Sequence, residues 1–457
     1  MPLIIPANTL STGGYEVANS CRFNDGDAPK LERTFGTATN RKIWTLSMWV
    51  KRSSTNQAML LSTNSAASYY QFQSGGAFEI NDVPVSTYNY RLVTNAIYRD
   101  ISAWMHIVIA FDSTQSTDSD RIKLYINGEQ PSLSVATYPS QNFEPRVNNA
   151  EAIKFGSYDG STDFALDAYL AEVVFIDGLQ LAATSFGEFD SDSPTIWKPI
   201  DVSGLTFGTN GFWLDFEDSS ALGNDVSGEN NDFTPANLAA TDQATDTPTN
   251  NFATWNPLTG SANLTYSEGN TKATSAGSGT PWRHATSSIA VASGKWYFEV
   301  KKGGSDAQLC SVADAESSTS NQDNDFNELI AYDSSDGNKR VGGTSSSYGD
   351  SYANGDIVGI ALDMTNQFVY FSKNGTWQNS GDPTSGATGT GGISTSSYSL
   401  LYFDVAQSES HSVEANFGNP SFTVSSANQD ANGYGNFEYA PPSGYYALCT
   451  KNLAEFG

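Results

Sequence analysis

The chain has few of the residues that build covalent or metal-held scaffolds. It contains three cysteines in 457 residues, Cys21, Cys310 and Cys449. Their odd number and wide spacing exclude a paired disulfide framework or a cysteine metal motif, and predict three buried thiols. Histidine is equally scarce, with three residues, and no Gly-x-Ser-x-Gly elbow occurs. A nucleophile–base pair therefore has little support, and we expect neither an enzyme nor a cofactor.

Positive charge and long apolar runs are also missing. Lysine and arginine number 23 against 50 acidic residues, a net charge of −27. Nucleic acid is a poor partner for such a chain, because phosphate binding needs clustered Lys and Arg. No window approaches the roughly 20 apolar residues needed to cross a membrane, so we expect no membrane insertion. The opening MPLIIPANTL lacks the basic and apolar regions of a signal peptide.

Helical periodicity does not extend over three turns anywhere; the best candidate is a short helix at 182–188. Aromatic residues instead reach 12%, with 40 glycines and abundant Ser, Thr and Asn, which is the composition of strands and turns. Apolar and polar side chains alternate in segments such as 44–51 and 295–300, as in half-buried strands. The predicted fold class is all-β, built from antiparallel sandwiches.

An internal repeat indicates two domains. Residues 106–112 predict a buried strand ended by Asp, and residues 121–128 a second strand ended by Asn-Gly. Residues 356–363 and 368–375 repeat this order in the second half. Asn-Gly supplies the two positive φ angles of a type I′ hairpin turn. Two copies in the same order predict two domains of one architecture.

We place these domains at residues 1–200 and 258–457, joined at 201–257 by a strand and a polar run. The polar run is either a linker or an ordered arm lying over a neighbouring surface. Segments 317–327 and 379–397 are predicted to be long loops of the second sandwich.

The motifs in the second half resemble, in order, those of a SPRY domain. They are GKWYFEV at 294–300, NGDIVGIALD at 354–363 and VYFSKNGTW at 369–377. The first half resembles laminin-G or concanavalin A-like jelly rolls. Its matching segments are LSMWVK at 46–51, WMHIV at 104–108, LYING at 124–128 and LAEVVFID at 170–177. The resemblance implies two tandem concanavalin-like antiparallel β-sandwiches.

The combined layout is similar to that of virion proteins of phages that infect marine bacteria. It includes FNDGD at 23–27, YAPPSGY at 439–445 and ALCTKNL at 447–453. This resemblance implies a tail fibre, knob or capsid decoration, made in the host cytoplasm and located in the virion. The expected partners are other virion proteins, further copies of the chain because particles are symmetric, and a host-surface glycan or protein. Residues 1–19 are either an anchor that docks into a neighbouring subunit or an edge strand.

Two other functions stay open: a free carbohydrate-binding protein, with or without Ca²⁺, and a glycoside hydrolase. A retaining glucanase of this fold carries Glu-x-Asp-x-Glu on one strand, with its carboxylates on one face. The nearest match is Asp215 and Glu217, which lack the third acid. We interpret these two acids as facing solvent beside inward Leu214 and Phe216.

Calcium prefers oxygen ligands, which three acidic clusters offer. They are Asp118 with Asp120, Asp159 with Asp163, and Asp323 with Asp325. None has the full spacing of a Ca²⁺ loop, and we interpret them as solvated turns. A Ca²⁺ site is therefore an open hypothesis without a full motif.

Aromatic rings in polar, loop-like stretches are the remaining candidates for ligand binding, because sugars stack on exposed rings. The candidates are Tyr69, Tyr70, Tyr88, Tyr90, Tyr348 and Tyr352. For each, the alternative is a ring that caps a sandwich edge or packs under a loop. His106 lies in a buried-strand pattern, where a hydrogen-bonded structural histidine is expected.

Overall fold

A computed structural model describes residues 14–63, 68–84, 86–157, 162–261, 263–275, 282–316, 326–408 and 411–457. The chain divides between Thr249 and Asn250 into two compact units. Each unit has its own hydrophobic core between two sheets. The fold is all-β, as the composition and alternation predicted.

The first unit contains strands β1 to β17. They are β1 (Ser20–Phe23), β2 (Lys30–Thr34), β3 (Ile43–Arg52), β4 (Ala58–Thr63), β5 (Ser68–Phe72), β6 (Ala77–Asp82), β7 (Tyr90–Ile97), β8 (Trp104–Asp112), β9 (Ile122–Ile126), β10 (Leu133–Thr137), β11 (Ala152–Phe155), β12 (Ala168–Asp177), β13 (Gly187–Phe189), β14 (Trp197–Pro199), β15 (Phe212–Leu214), β16 (Thr234–Ala236) and β17 (Gln243–Ala244).

Sheet A has the order β17-β1-β12-β3-β8-β9, with β15 also paired to β12. Sheet B has the order β10-β7-β6-β5-β4-β11-β2-β16. The predicted alternation in β3 is confirmed, since Trp44, Leu46, Met48 and Val50 all lie in the core between the sheets. The outer face of sheet A carries a second apolar cluster that includes Trp49 and Trp197.

The second unit contains strands β18 to β32 and a helix. They are β18 (Leu264–Ser267), β19 (Lys272–Ser275), β20 (Arg283–Val291), β21 (Lys295–Lys302), β22 (Gln308–Asp314), β23 (Leu329–Asp333), β24 (Asn338–Val341), β25 (Thr344–Ser347), β26 (Ile357–Asp363), β27 (Phe368–Lys373), β28 (Thr376–Trp377), β29 (Ile393–Ser394), β30 (Leu401–Gln407), β31 (Ser412–Asn416), β32 (Tyr446–Ala447) and α1 (Thr450–Phe456).

Sheet C has the order β18-β19-β31-β21-β26-β27-β28, with β29 on β27 and β32 on β21. Sheet D has the order β20-β30-β22-β23-β24-β25. The pairs are antiparallel except that β32 runs parallel to β21. Trp296, Phe298 and Val300 of β21 face the core, as their alternation predicted.

The two Asn-Gly turns have the predicted backbone. Asn127 and Gly128 have φ of 49° and 83°, and Asn374 and Gly375 have φ of 47° and 79°. The side chain of each asparagine also accepts a hydrogen bond from a backbone N–H of the neighbouring strand, at 2.7 Å from His106 of β8 and at 2.9 Å from Ile357 of β26. The internal repeat therefore extends to the hydrogen bond that ties each turn to the neighbouring strand.

The polar run after residue 200 is an ordered arm of the first unit rather than a linker. Strand β15 pairs with β12, β16 with β2, and β17 with β1. Phe212, Phe216 and Phe233 of this arm lie in the first core. The linker alternative is wrong because these strands pair with the first unit. The composition did not indicate this, since polar turns separate the apolar residues of the arm.

Smaller elements differ from expectation. The helix proposed at 182–188 is a 3₁₀ turn at Ala183–Ser185 followed by β13. The α-helix α1 was not predicted. None of the described residues forms a helix long and apolar enough to span a bilayer. Residues 1–13, Asp159 and the pair Asp323 and Asp325 lie outside the described residues.

Candidate functional site

The four candidate tyrosines of the first unit lie in or beside sheet B, and they are divided between its two faces. Tyr70 and Tyr90 point into the core, where their hydroxyls are hydrogen-bonded at 3.0 Å. Tyr69 points outward from β5, and Tyr88 lies in the loop before β7. Both outer rings are half-buried. Tyr69 and Tyr88 are therefore the two of these four that a ligand can reach.

The other four candidates were expected to be exposed binding residues, but the structure shows that they are buried. Tyr70 and Tyr90 lie in strands and are fully buried. Tyr348 and Tyr352 lie in the loop between β25 and β26 but belong to the second core. The Tyr352 hydroxyl accepts the backbone N–H of Cys310 at 3.2 Å and lies 3.0 Å from the carbonyl oxygens of Gln308 and Tyr332. These rings hold a loop against the core.

The outer face of sheet B carries a polar network centred on the buried carboxylate of Glu79. Its Oε1 accepts hydrogen bonds from Arg91 at 2.6 Å and Asn81 at 3.1 Å. Its Oε2 accepts from Gln71 at 3.0 Å and Gln73 at 2.6 Å. Burial alone would raise the pKa of Glu79, but these hydrogen bonds outweigh it and the pKa lies below its usual value. The carboxylate thus fixes four side chains in place.

The two outer tyrosines flank this network, and we call the group of Tyr69, Gln71, Glu79, Asn81, Tyr88 and Arg91 the Tyr69–Tyr88 surface. Tyr69 is the register partner of Asn81, which in turn pairs with Arg91. The Arg91 guanidinium lies over the Tyr88 ring at 4.8 Å from its centroid, a cation–π contact. Partial burial and then the charges of Glu79 and Tyr88 raise the pKa of Tyr69 to about 12. Its hydroxyl is therefore protonated at neutral pH.

The loop that carries Tyr88 is closed by Asn89 and Asp82. The Asn89 backbone N–H donates to the Asp82 carbonyl at 2.8 Å, and its side chain donates to the Asp82 carboxylate at 2.6 Å. One acceptor of the surface is unsatisfied: the buried Oδ1 of Asn81 has no hydrogen-bond partner among the described residues. The surface combines aromatic rings with fixed donors and acceptors, which is the chemistry that binds sugars.

Most of the polar members of this surface were missed from the sequence, although a signal was present. Gln71 and Gln73 alternate with Tyr70 and Phe72, and Glu79 and Asn81 alternate with Phe78 and Ile80. The period of two places one set on each face of the sheet. Applied to both strands together, it would have identified the outer polar row.

His106 has the structural role that was expected. Its Nδ1 accepts a hydrogen bond from the Trp197 indole at 3.0 Å, so Nε2 carries the proton and donates to the Ser47 hydroxyl at 2.8 Å. Burial lowers its pKa to about 3. The ring is neutral and stacks on Trp49, with centroids 4.7 Å apart.

Asp215 and Glu217, the nearest match to a glucanase motif, have a third carboxyl group near them, that of Glu172. Leu214 and Phe216 are buried in the core, as interpreted. Glu217 is exposed and Asp215 is half-buried. Glu172 of β12 was missed: burial raises its pKa to about 8, and the charges of Asp215 and Glu217 also raise it. Its Oε2 accepts from Tyr15 at 3.2 Å and Trp213 at 3.1 Å.

Metal ligands are not clustered in the described part of the chain, where no group of three His, Cys, Asp or Glu side chains could hold an ion. Asp120 pairs with Lys123 at 3.1 Å, and Asp118 accepts the backbone N–H of Ser119 at 2.7 Å. Cys21, Cys310 and Cys449 are free and buried, as predicted.

Family comparisons match each half of the chain to a known domain. Residues 25–179 match the model of the concanavalin A-like lectin/glucanases superfamily, and residues 295–419 match the SPRY domain model. The chain contains a concanavalin A-like domain and a SPRY domain. The resemblances to a SPRY domain and to concanavalin A-like jelly rolls are thereby confirmed.

The chain is also similar to parts of solved structures, at low identity and low TM-score. The SPRY domain of human HERC1 is 19% identical, with 35% of this chain and 96% of that chain covered and a TM-score of 0.28. A candidate carbohydrate-binding protein from Bacteroides ovatus ATCC 8483 is 10% identical, with 48% and 58% covered and a TM-score of 0.33. No curated protein sequence matches the chain at a significant level.

Proposed function

We propose that the chain is a non-enzymatic structural protein of a bacteriophage particle that binds the host surface. The Tyr69–Tyr88 surface of the concanavalin A-like domain is the attachment site in this proposal, and a host glycan is its ligand. The observation that carries the binding function is the network in which Glu79 orients Arg91, Gln71 and Asn81 between two accessible tyrosines. Side chains fixed before binding lose little conformational entropy when a ligand arrives.

The location in a virion is supported by the resemblance of the whole layout to phage virion proteins. A tail fibre, a knob or a capsid decoration would present the two domains outward. Its partners would be other virion proteins and further copies of the chain, since particle symmetry repeats each interface. No cofactor is part of the proposal.

A free carbohydrate-binding protein is the second candidate, and the same Tyr69–Tyr88 surface supports it. A glycoside hydrolase has less support. The third carboxyl group beside Asp215 and Glu217 is that of Glu172, and Tyr15 and Trp213 cover it and donate hydrogen bonds to it. Turnover of polysaccharide by the purified chain would overturn the non-enzymatic proposal.

The particle proposal is tested by mass spectrometry of phage purified by density gradient. We expect peptides from both domains at a stoichiometry of several copies per particle. Their absence from the particle, with the protein present in the lysate, would favour the free carbohydrate-binding protein.

The binding surface is tested by Tyr88→Ala in the full chain, against polysaccharide extracted from the host surface. We expect at least tenfold weaker binding, equivalent to about 1.4 kcal/mol, because the ring and its contact with Arg91 are lost. Tyr88→Phe keeps the ring and should bind within about threefold of the wild type, a difference below about 0.7 kcal/mol. Tyr434→Ala, a half-buried tyrosine of the other unit, is the control. Equal binding by Tyr88→Ala and wild type would exclude this surface.

A further inference from the structure

A groove lies on sheet A of the first unit, the sheet opposite the one that carries the Tyr69–Tyr88 surface. Two pairs of strands form it. One is the β8–β9 pair with the Asn127-Gly128 turn that follows β9, and the other is β13–β14 with the loop between them. The groove encloses about 670 Å³. Its walls include Trp104, Asn127, Glu129, Phe189, Pro194 and Thr195, and we call it the Trp104–Phe189 groove.

Trp197 forms the floor of the groove, and a hydrogen bond and two glycines hold its ring. Its indole N–H donates to His106 at 3.0 Å. A Cβ added at Gly128 would lie 2.4 Å from the Trp197 ring, and one added at Gly187 would lie 2.6 Å from it. Both glycines therefore pack directly on the ring. These contacts and the hydrogen bond to His106 fix the orientation of the ring.

The rim is fixed by two further contacts. The Trp104 indole N–H donates to Asp246 at 2.7 Å, which sets the orientation of that ring. Asp190 accepts the backbone N–H groups of Asp192 and Ser193, each at 2.9 Å, and pairs with Lys198 at 3.1 Å. These bonds order the loop that leads to Thr195. Rigid aromatic walls of this kind favour a ligand with a flat apolar face.

Phe189 is the exposed aromatic residue of the groove. It is 42% exposed and meets Trp197 edge-on, with ring centroids 4.9 Å apart and an interplanar angle of 74°. An exposed phenylalanine ring can pack against a ligand, and sugar rings present C–H groups that pack on aromatic faces. The apolar wall thus accommodates a pyranose ring.

The polar groups of the groove determine the charge of its ligand. Within the described residues, the Glu129 carboxylate and the Thr195 hydroxyl have no hydrogen-bond partner among side chains. Glu129 is the charged side chain of the lining, and the chain carries a net charge of −27. An anionic ligand would be repelled, whereas a carboxylate accepts hydrogen bonds from the hydroxyls of a neutral sugar.

We propose that the Trp104–Phe189 groove is a second carbohydrate site, which takes a neutral oligosaccharide independently of the Tyr69–Tyr88 surface. Phe189 stacks on a sugar ring, and Glu129 accepts hydrogen bonds from its hydroxyls. The two sites lie on the outer faces of opposite sheets, so they bind separate stretches of glycan.

The test measures binding of the full chain to immobilised cellohexaose, maltohexaose, xylohexaose and mannohexaose, with polygalacturonate as an anionic probe. We expect binding to at least one neutral hexasaccharide. Phe189→Ala should weaken that binding at least tenfold and Glu129→Gln at least threefold. Leu258→Ala, which removes another exposed apolar side chain (63% exposed) in the other unit, is the matched control. Thermal unfolding of each variant checks that it is folded.

Several outcomes would overturn this proposal. They are binding to none of the neutral probes, binding to polygalacturonate alone, and a folded Phe189→Ala variant that binds as tightly as the wild type. Loss of binding in Tyr88→Ala but not in Phe189→Ala would assign all glycan binding to the Tyr69–Tyr88 surface and would also exclude the groove.

Discussion

Glu172 combines a buried carboxyl group with an unusual backbone. It has φ of 48°, a left-handed value that is rare for a residue with a side chain. The pairing of β12 with β3 shifts register between Ala171 and Val174, so Glu172 is the extra residue of a β-bulge. Sequence alternation could not reveal this, because residues 173–176 are all apolar and show no period of two.

We predict that Glu172 makes the stability of the first unit depend on pH. Its pKa is about 8 in the folded chain against an ordinary value of 4.5, so the folded state binds a proton that the unfolded chain has lost. Stability is then highest below pH 4.5 and falls as pH rises toward 8, by at most about 1.4 kcal/mol per pH unit. Glu172→Gln keeps the acceptor for Tyr15 and Trp213 and removes this titration.

The measurement is urea unfolding of the wild type and Glu172→Gln between pH 4.5 and 9. The variant should be similar to the wild type at pH 4.5 and more stable by about 2–4 kcal/mol at pH 9. Glu229→Gln, at an exposed carboxylate of the same unit, is the control and should follow the wild type. Parallel pH curves for Glu172→Gln and wild type would contradict the prediction.

The sequence predicted an accessible ring correctly where the tyrosine precedes a strand or faces outward, and wrongly where the ring faces inward. Tyr69 and Tyr88 are accessible, whereas Tyr70 and Tyr90 are core residues. Tyr70 and Tyr90 were misplaced because polar neighbours suggested a loop. In a sheet with one solvent-exposed face, every second residue of a strand is polar. Tyr348 and Tyr352 show a different cause, since a loop can carry its rings inward. Only tertiary packing determines that direction.

At the scale of elements, the Asn-Gly hairpins were the most accurately predicted feature. Local chemistry determines them, because glycine adopts positive φ without the steric cost that a Cβ brings. Helix α1 and the parallel strand β32 were missed, since both are short and depend on packing. In α1, Phe456 stacks on Tyr446 with ring centroids 3.8 Å apart, a contact that no local pattern indicates.

A pair of glycines in the second unit separates backbone strain from packing. Gly355 and Gly375 have similar φ of 88° and 79°. A Cβ at Gly355 would meet nothing within 4 Å, whereas one at Gly375 would lie 2.6 Å from the Tyr439 ring. We predict that Gly355→Ala destabilises the SPRY domain by about 1–2 kcal/mol through strain alone. Gly375→Ala should cost about 1–3 kcal/mol more, as overpacking does.

Chemical denaturation of both variants measures this difference directly. The double variant Gly375→Ala with Tyr439→Ala tests its cause, because removing the ring should leave Gly375→Ala with a penalty similar to that of Gly355→Ala. Equal destabilisation by the two single glycine variants would show that the contact with Tyr439 has no energetic effect.

At the scale of the whole molecule, the sequence predicted the number and type of domains but misplaced their boundary. The repeated strand-and-hairpin unit and the domain motifs each cover an uninterrupted segment, so they were visible without tertiary information. The arm after residue 200 contributes single strands to two sheets of the first unit. Such short strands carry little periodicity, and their pairing partners are more than a hundred residues away for β16 and β17.

We predict that a chain ending at Thr249 is far more stable than one ending at Ile200, the boundary expected from the sequence. The shorter chain loses β15, β16 and β17 and the core residues Phe212, Leu214, Phe216, Leu222 and Phe233. Removing one large core side chain typically costs about 3–5 kcal/mol, and a domain has only about 5–15 kcal/mol in total. The chain ending at Ile200 should therefore be unfolded or aggregated, while the chain ending at Thr249 unfolds cooperatively. Circular dichroism during heating distinguishes them, and a cooperative transition at similar temperature in both would show that the arm is a dispensable appendage.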